Sequence, residues 1–356
     1  MNSNGVASSD VNVRPLTRVE WSRLLDANPE ATPFQSPEWM EGVCLDGRFK
    51  NVSLVFHTDD CNIAVLLAAR HIMPGLTLAA ALPHGMGAGG ILADCKLTPE
   101  LLRPVFAFLA GQSYSSILVR PNPLQCGALA HGTYEGWKSK LLISHVLDLS
   151  GGFDEVWENK FSSRRRRHIR KARKTDLKVV EGNNPQLVQD FYKLYLKWCE
   201  GKAKKRRNIP PAVARITGRW REPFWKFASV AKTMGDKLTI FLACLDDVPV
   251  AGAVLLMSGN TAVYWRGASD LSASAAVNAN DFIQDVMIRR ACDAGCRSYH
   301  MGESGGVESL EAFKESLGAQ AVTYAEFVHE KVLARTANSV RNGMLRTAER
   351  ILRRGE

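Results

Sequence analysis

LTIFLACLDDVPVAGAVLLMSGNTAVYWRG, residues 238–267, decides the fold. Residues 238–245, 248–257 and 261–267 are three apolar runs with the β-branched and aromatic content of strands. Asp246-Asp247 and Ser258-Gly259-Asn260 supply the turns between them, so the runs form an antiparallel meander. Downstream, residues 280–294 have a helical period with Phe282, Ile283, Val286 and Met287 inward, closed by Gly295. A strand over 297–301, a short helix over 309–317 and a last strand over 321–328 follow. Upstream, Asn184-Pro185 opens a helix that buries Leu187, Phe191, Leu194 and Trp198 and stops at Gly201; basic, irregular text then runs to about Pro211. A meander followed by helix, strand, helix, strand is α+β, not the alternation of a dinucleotide-binding sheet.

The first half has a similar order. Residues 52–56 and 62–69 are apolar runs around Asp59-Asp60. Thr98 caps a helix with Pro99 at its first position and Glu100 in its first turn. Leu101, Val105, Phe108 and Leu109 are its apolar face and Gly111 its end. A strand over 116–120 stops at Pro121.

Charge divides the chain of 356 residues at the same place. Residues 1–150 carry 11 basic and 13 acidic side chains, residues 151–356 carry 35 and 23, and the total is +10. The whole positive excess lies in the second half, which implies an anionic partner there. The sequence therefore predicts domains over 1–150 and 151–330, followed by a basic helical tail over 331–356. An apolar share of 46% excludes a disordered or fibrous chain. No run is apolar enough to span a membrane and no secretory leader is visible, which points to a cytoplasmic protein. Eight cysteines without a CxxC or neighbouring histidines at ligand spacing read as reduced thiols, with no metal site.

Arg164 to Lys174 holds eight cations in eleven positions. On a helix they repel one another, a cost that a phosphate-bearing ligand removes; a solvated face, or attraction to nucleic acid or anionic lipid, accounts for the run equally well. Tyr264 and Arg266 share a strand face, either orienting a polar acceptor or simply meeting solvent. HGMGAGG (84–90) is formally GxGxxG, but no helix opens on it, so the nucleotide reading fails on context. In the tail, Leu333, Ala337, Val340, Met344, Ala348 and Ile351 form an apolar stripe. It packs on its own domain or on a partner helix, or holds the protein at the anionic inner face of the membrane.

SSRRRRHIRKARK (162–174), DDVPVAGAVLL (246–256), YWRGASD (264–270) and MGESGGVESLEAFKESLG (301–318), with TPFQSPEWM (32–40) in the first half, occur in the order of a known family. From about 15 to 330 the chain resembles the Fem-type acyltransferases, which look like two GNAT folds in tandem, with mixed, largely antiparallel sheets flanked by helices. The resemblance implies transfer of an acyl or aminoacyl group, from acyl-CoA or aminoacyl-tRNA, to an amine or hydroxyl of an anionic, lipid-linked or polysaccharide precursor of the cell envelope. It places Lys314 of the Phe313-Lys314 pair near the reacting carbonyl, where it would counter the oxyanion. It assigns Arg166 to acceptor phosphates, with Arg170 on the same helix face. The family's acid before the strand-end glycine is replaced here by Met301, so the general base is sought in Glu303 or His300, with Glu303 preferred. Lys314 and the Arg166–Arg170 face are expected to converge across one cleft. The rival reading is a non-catalytic protein whose basic half grips tRNA, another nucleic acid or anionic lipid.

Overall fold

The computed structural model describes residues 12–331 except 59, 60, 84, 126, 128 and 206–208. The first half contains β1 (Asn12–Pro15), α1 (Arg18–Asp26), α2 (Pro37–Cys44), β2 (Lys50–Asn51), β3 (Leu54–His57), β4 (Asn62–Val65), β5 (Ala68–Met73), β6 (Leu76–Ala80), β7 (Ile91–Ala93), α3 (Pro99–Gly111), β8 (Ser116–Val119) and β9 (Trp137–Asp148). The second half opens with α4 (Gly152–Glu155), a π turn (Val156–Lys160), α5 (Ser163–Ala172), β10 (Lys178–Gly182), α6 (Pro185–Lys205), α7 (Pro211–Arg221) and α8 (Phe224–Met234). It continues with β11 (Leu238–Leu245), β12 (Val248–Ser258), β13 (Thr261–Ser269), α9 (Leu271–Val277), α10 (Ala279–Asp293), β14 (Ser298–Glu303), α11 (Glu308–Glu315) and β15 (Gln320–Glu330).

Local chemistry sets many of these limits. The Thr98 hydroxyl accepts from the Leu101 amide, and the Asn184 side chain accepts from that of Leu187, so both helices start where their caps stand. Asp246 and Asp247 both have positive φ (49° and 61°), which lets two residues join β11 to β12 with the twist of a hairpin. Two expectations are corrected. The helix α6 passes through Gly201 to Lys205. A Cβ at Gly201 would sit 3.2 Å from Leu271 Cδ1, so the glycine serves the approach of α9 rather than a helix end. In α3 the inward face is Leu102, Val105, Phe106 and Leu109, and Phe108 lies exposed at the edge against Phe56.

A four-stranded sheet runs β1-β3-β4-β7 and an eleven-stranded sheet β10-β11-β12-β13-β14-β9-β15-β8-β6-β5-β2. The two halves trade strands in the larger sheet. β9 from the first half pairs with β14, and β15, from the end of the second half, lies between β9 and β8. One core packs α6 and α8 against one face of β11–β13 together with α1 and α2. A second packs α5 and α10 on the opposite face, and a third lies around α3.

The expectation of reduced cysteines holds for Cys44, Cys199, Cys244, Cys292 and Cys296 and is corrected for one pair. Cys61 and Cys95 form a disulfide, with Cα atoms 5.7 Å apart. They stand just outside the ladder in which Ile63 pairs with Ala93, so strand pairing brings them together. Among the described residues, no helix is long and apolar enough to cross a membrane. The expected tail helix lies, beyond Lys331, outside the described residues.

Candidate active site

β13 and β14 run parallel, but only Thr261–Val263 pair with Ser298–His300. Beyond that point β13 stays with β12 and β14 stays with β9. Irregularities at Val254/Leu255 and at His300/Gly302 bend the two ladders where they part. Gly302 takes φ 68°, a left-handed conformation that glycine adopts at little cost. The parted strands border a cavity of about 740 Å³, closed by α10 and α11 and by loops of the first half. A volume of that size suits a small-molecule or acyl-chain site.

Lys314 reaches this cavity from α11 with a side chain only 2% exposed. Its Nζ donates to the Gly302 carbonyl at 2.7 Å. Among the described residues it has no carboxylate in ion-pair contact. Burial therefore lowers its pKa to about 8, although Glu303 and Glu311 pull the other way. A partly desolvated ammonium held by one neutral carbonyl retains donors for a developing negative charge. Phe313, also on the cavity wall, is covered by the Arg165 guanidinium 4.5 Å from its ring centre.

Glu303 ends β14 and also lines the cavity. The Tyr324 hydroxyl donates to its carboxylate at 2.5 Å, and Arg120 Nη1 lies 3.6 Å away. Arg120 is anchored in turn by Glu326. Burial and the neighbouring Glu303 carboxylate raise the Tyr324 pKa, so Tyr324 remains a phenol and a donor. Lys314 and Glu303 thus offer a cation and a hydrogen-bond-oriented carboxylate to the same space.

His300 is 4% exposed, and among the described residues its Nε2 has no hydrogen-bond partner. Burial lowers its pKa to about 4, so the imidazole is neutral at physiological pH. Tyr264 is held up to about 12 by burial, against the opposing effect of Arg266. Its hydroxyl occupies the room left by Gly267, where a Cβ would stand 1.9 Å from the phenol oxygen. Arg266 Nη2 donates to the Gly85 carbonyl at 2.5 Å and to Glu222 at 2.9 Å. Trp265 points the other way and donates to the same Gly85 carbonyl at 3.0 Å. The glycines of HGMGAGG therefore allow close approach: Gly85 to Arg266 and Glu222, and Gly87 to Phe34.

Residues 159–315 match the family described as acetyltransferase (GNAT) domain. This segment is a GNAT acyltransferase domain. Comparison with curated protein sequences finds no match. Among solved structures, the chain is similar to FemX, at 15% identity and a TM-score of 0.64, over 90% of this chain and 97% of that one. It is also similar to a tandem GNAT protein from the clavulanic acid biosynthesis pathway, at 11% identity and a TM-score of 0.52, over 90% and 98%. A C-terminal domain from Agrobacterium fabrum, assigned to a lysylphosphatidylglycerol synthetase, matches at 13% identity and a TM-score of 0.52, over 92% and 97%. The fold is the tandem GNAT fold.

The structure brings Lys314, Glu303, Phe313, Tyr264 and Arg266 of the GNAT domain to one cavity. It does not bring Arg166 or Arg170 there, and the expected convergence of their helix with Lys314 is corrected. Arg166 donates to the Trp157 carbonyl at 2.9 Å and to the Glu158 carbonyl, satisfying groups that the π turn leaves free. Arg170 is exposed, with its guanidinium 5.5 Å from the Trp157 ring centre. Other cations of the run fasten α5 to α10: Arg165 to Asp281, and Arg173 to Asp285 at 2.7 Å. The cavity takes its remaining cations from elsewhere, namely Arg120, Arg266 and Lys202. The sequence reading missed Arg120 and Tyr324. The one signal for Arg120 was its place at the end of a predicted strand before Pro121.

Proposed function

We propose that the chain transfers an acyl or aminoacyl group from a thioester or ester donor to an amine or hydroxyl of an anionic precursor of the cell envelope. The observation that carries this reading is Lys314, buried and held by the Gly302 carbonyl where β13 and β14 part, with Glu303 facing the same cavity. In the proposed step, Glu303 takes the proton of the attacking amine or hydroxyl as its nitrogen or oxygen bonds to the donor carbonyl carbon. Lys314 neutralises the oxyanion. The tetrahedral intermediate collapses with cleavage of the C–S or C–O bond, and the leaving thiolate or ribose alkoxide takes up a proton. Tyr264, Arg266 and Phe313 are proposed to line the acceptor's path, with Lys202 supplying positive potential for its anionic part.

Of the two donors, acyl-CoA and aminoacyl-tRNA, one local feature favours aminoacyl-tRNA. The helix that follows β13 is opened by Asp270, whose carboxylate accepts from the Ser272 and Ala273 amides and pairs with Lys197 at 2.7 Å. Those amides are already satisfied, and a carboxylate stands where a pyrophosphate would need them. Similarity to a domain of a lysylphosphatidylglycerol synthetase supports an aminoacyl, lipid-linked system, whereas similarity to a tandem GNAT protein described with reference to AcCoA supports acyl-CoA. The rival is a protein that binds nucleic acid or anionic lipid without turnover.

Incubation with labelled acyl-CoA and, separately, with charged tRNA decides the matter. Transfer from charged tRNA that is lost in Lys314→Met supports the proposal. Transfer from acyl-CoA alone overturns the donor assignment. Salt-sensitive binding of tRNA without product establishes the rival.

A further inference from the structure

α7 carries an apolar stripe on its outward face. Val213, Ile216 and Trp220, spaced three and four apart, are 45%, 52% and 82% exposed. The opposite face is Ala214 and Gly218, both buried. Gly218 is pressed so closely on α6 that a Cβ there would lie 3.0 Å from Cys199 Sγ. The small residues thus seat the helix, and among the described residues no neighbour covers the large apolar ones. At about 100° per residue, Arg219 lies on one shoulder of the stripe and Arg221 on the other, while Arg215 turns back toward α6 and pairs with Glu200 at 2.8 Å. No acidic residue occurs in α7, and Lys202 and Lys204 are exposed at the end of α6.

We propose that α7 docks the protein on an anionic lipid bilayer, with Val213, Ile216 and Trp220 entering the headgroup boundary and the flanking arginines facing lipid phosphates. A narrow apolar stripe ending in a tryptophan and flanked by cations on a convex helix is the pattern of an interfacial helix. A nucleic acid would use the arginines but leaves Val213 and Ile216 without a role. The surface lies close to the cavity. Glu222, directly after α7, holds Arg266, and Trp198 and Lys202 of α6 line the same cavity. Docking through α7 therefore brings the cavity near a membrane surface. The inference does not depend on the catalytic assignment of Lys314.

The test uses the full chain with vesicles of phosphatidylcholine containing about 30% phosphatidylglycerol, and with phosphatidylcholine alone. Sedimentation is expected to show binding only to the anionic vesicles, weakened about ten-fold or more by Trp220→Glu or Ile216→Glu, with unchanged thermal melting. Trp220→Phe retains binding. Brominated acyl chains quench part of the wild-type fluorescence, and that part is missing in Trp220→Phe, which places residue 220 itself in the lipid. Transfer between soluble substrates is unaffected by Trp220→Glu. The proposal is overturned if the wild type ignores anionic vesicles, if Trp220→Glu binds them as the wild type does, or if brominated lipid quenches Trp220→Phe and wild type alike. Loss of tRNA binding or of self-association in Trp220→Glu, with vesicle binding intact, reassigns the surface to that occupant.

Discussion

Lys314 Nζ and the carbonyl of Gly302 meet at 2.7 Å on the wall of the cavity between β13 and β14. A buried ammonium with one neutral acceptor is costly to folding and useful to a reaction that makes an oxyanion. Lys314→Met keeps the side-chain length and removes the charge. Transfer is expected to fall by about 10² to 10³. Stability is expected to hold or rise at pH 7. The lysine's pKa is about 8 in the folded protein, below its ordinary 10.5, so the unfolded chain binds more protons between those values. Wild-type stability from this group therefore rises from about pH 8 to 10.5, and its penalty is fully present below pH 8. Urea denaturation of both proteins at pH 7 and pH 10 checks the sign; a variant less stable than wild type at pH 7 contradicts it.

Glu303→Gln preserves an acceptor for Tyr324 and removes the base. The expected result is a fall in kcat of about 10² to 10⁴ with little change in KM. Tyr324→Phe removes only the hydrogen bond that orients the carboxylate, so its loss should be far smaller. Equal losses in the two variants would assign Glu303 to structure rather than to proton transfer.

His300 is neutral because it is buried, with a pKa of about 4 against the ordinary 6.5. As pH falls through 6.5 the unfolded chain takes up a proton that the folded one refuses until about pH 4. Stability is thus lost across that interval, by about 3 kcal/mol when complete. His300→Leu should flatten this acid limb in denaturation curves taken between pH 4 and 7. A limb of unchanged slope would show that other groups produce it.

Gly267→Ala places a methyl where the Tyr264 hydroxyl lies. The clash is expected to cost about 1–3 kcal/mol and to displace Tyr264 from the cavity. In the Tyr264→Ala background the further loss from Gly267→Ala disappears, and the double-mutant cycle measures the coupling. Additive losses would mean that the two residues do not compete for the space.

The meander was legible because its signals are local. Two aspartates with positive φ and a Ser-Gly-Asn turn separate three apolar runs, and β11, β12 and β13 stand where those runs predict. Lys314 was singled out by motif order and Glu303 by its place at a strand end beside Gly302, since nothing in their own neighbourhood announces a cavity. The arginine run misled because sequence shows charges without their partners. Asp281 and Asp285, which hold Arg165 and Arg173, lie more than a hundred residues downstream. The pairing of Cys61 with Cys95 was hidden for the same reason, since it follows from the β4–β7 ladder rather than from spacing. β9 lacks clean alternation, with Lys138 and Lys140 beside Leu141, Leu142 and Ile143, and its identity as a strand depends on β14 and β15, made much later in the chain.

The exchange of β9 and β15 has a bearing on synthesis. The partner that covers one edge of β8 is not translated until residues 320–330 emerge, so the amino-terminal half leaves the ribosome with that edge bare. Shielding of this edge by a chaperone, or rapid completion of translation, then becomes a condition for avoiding aggregation, and a nascent chain stalled before residue 320 should be sensitive to protease where the finished one is resistant.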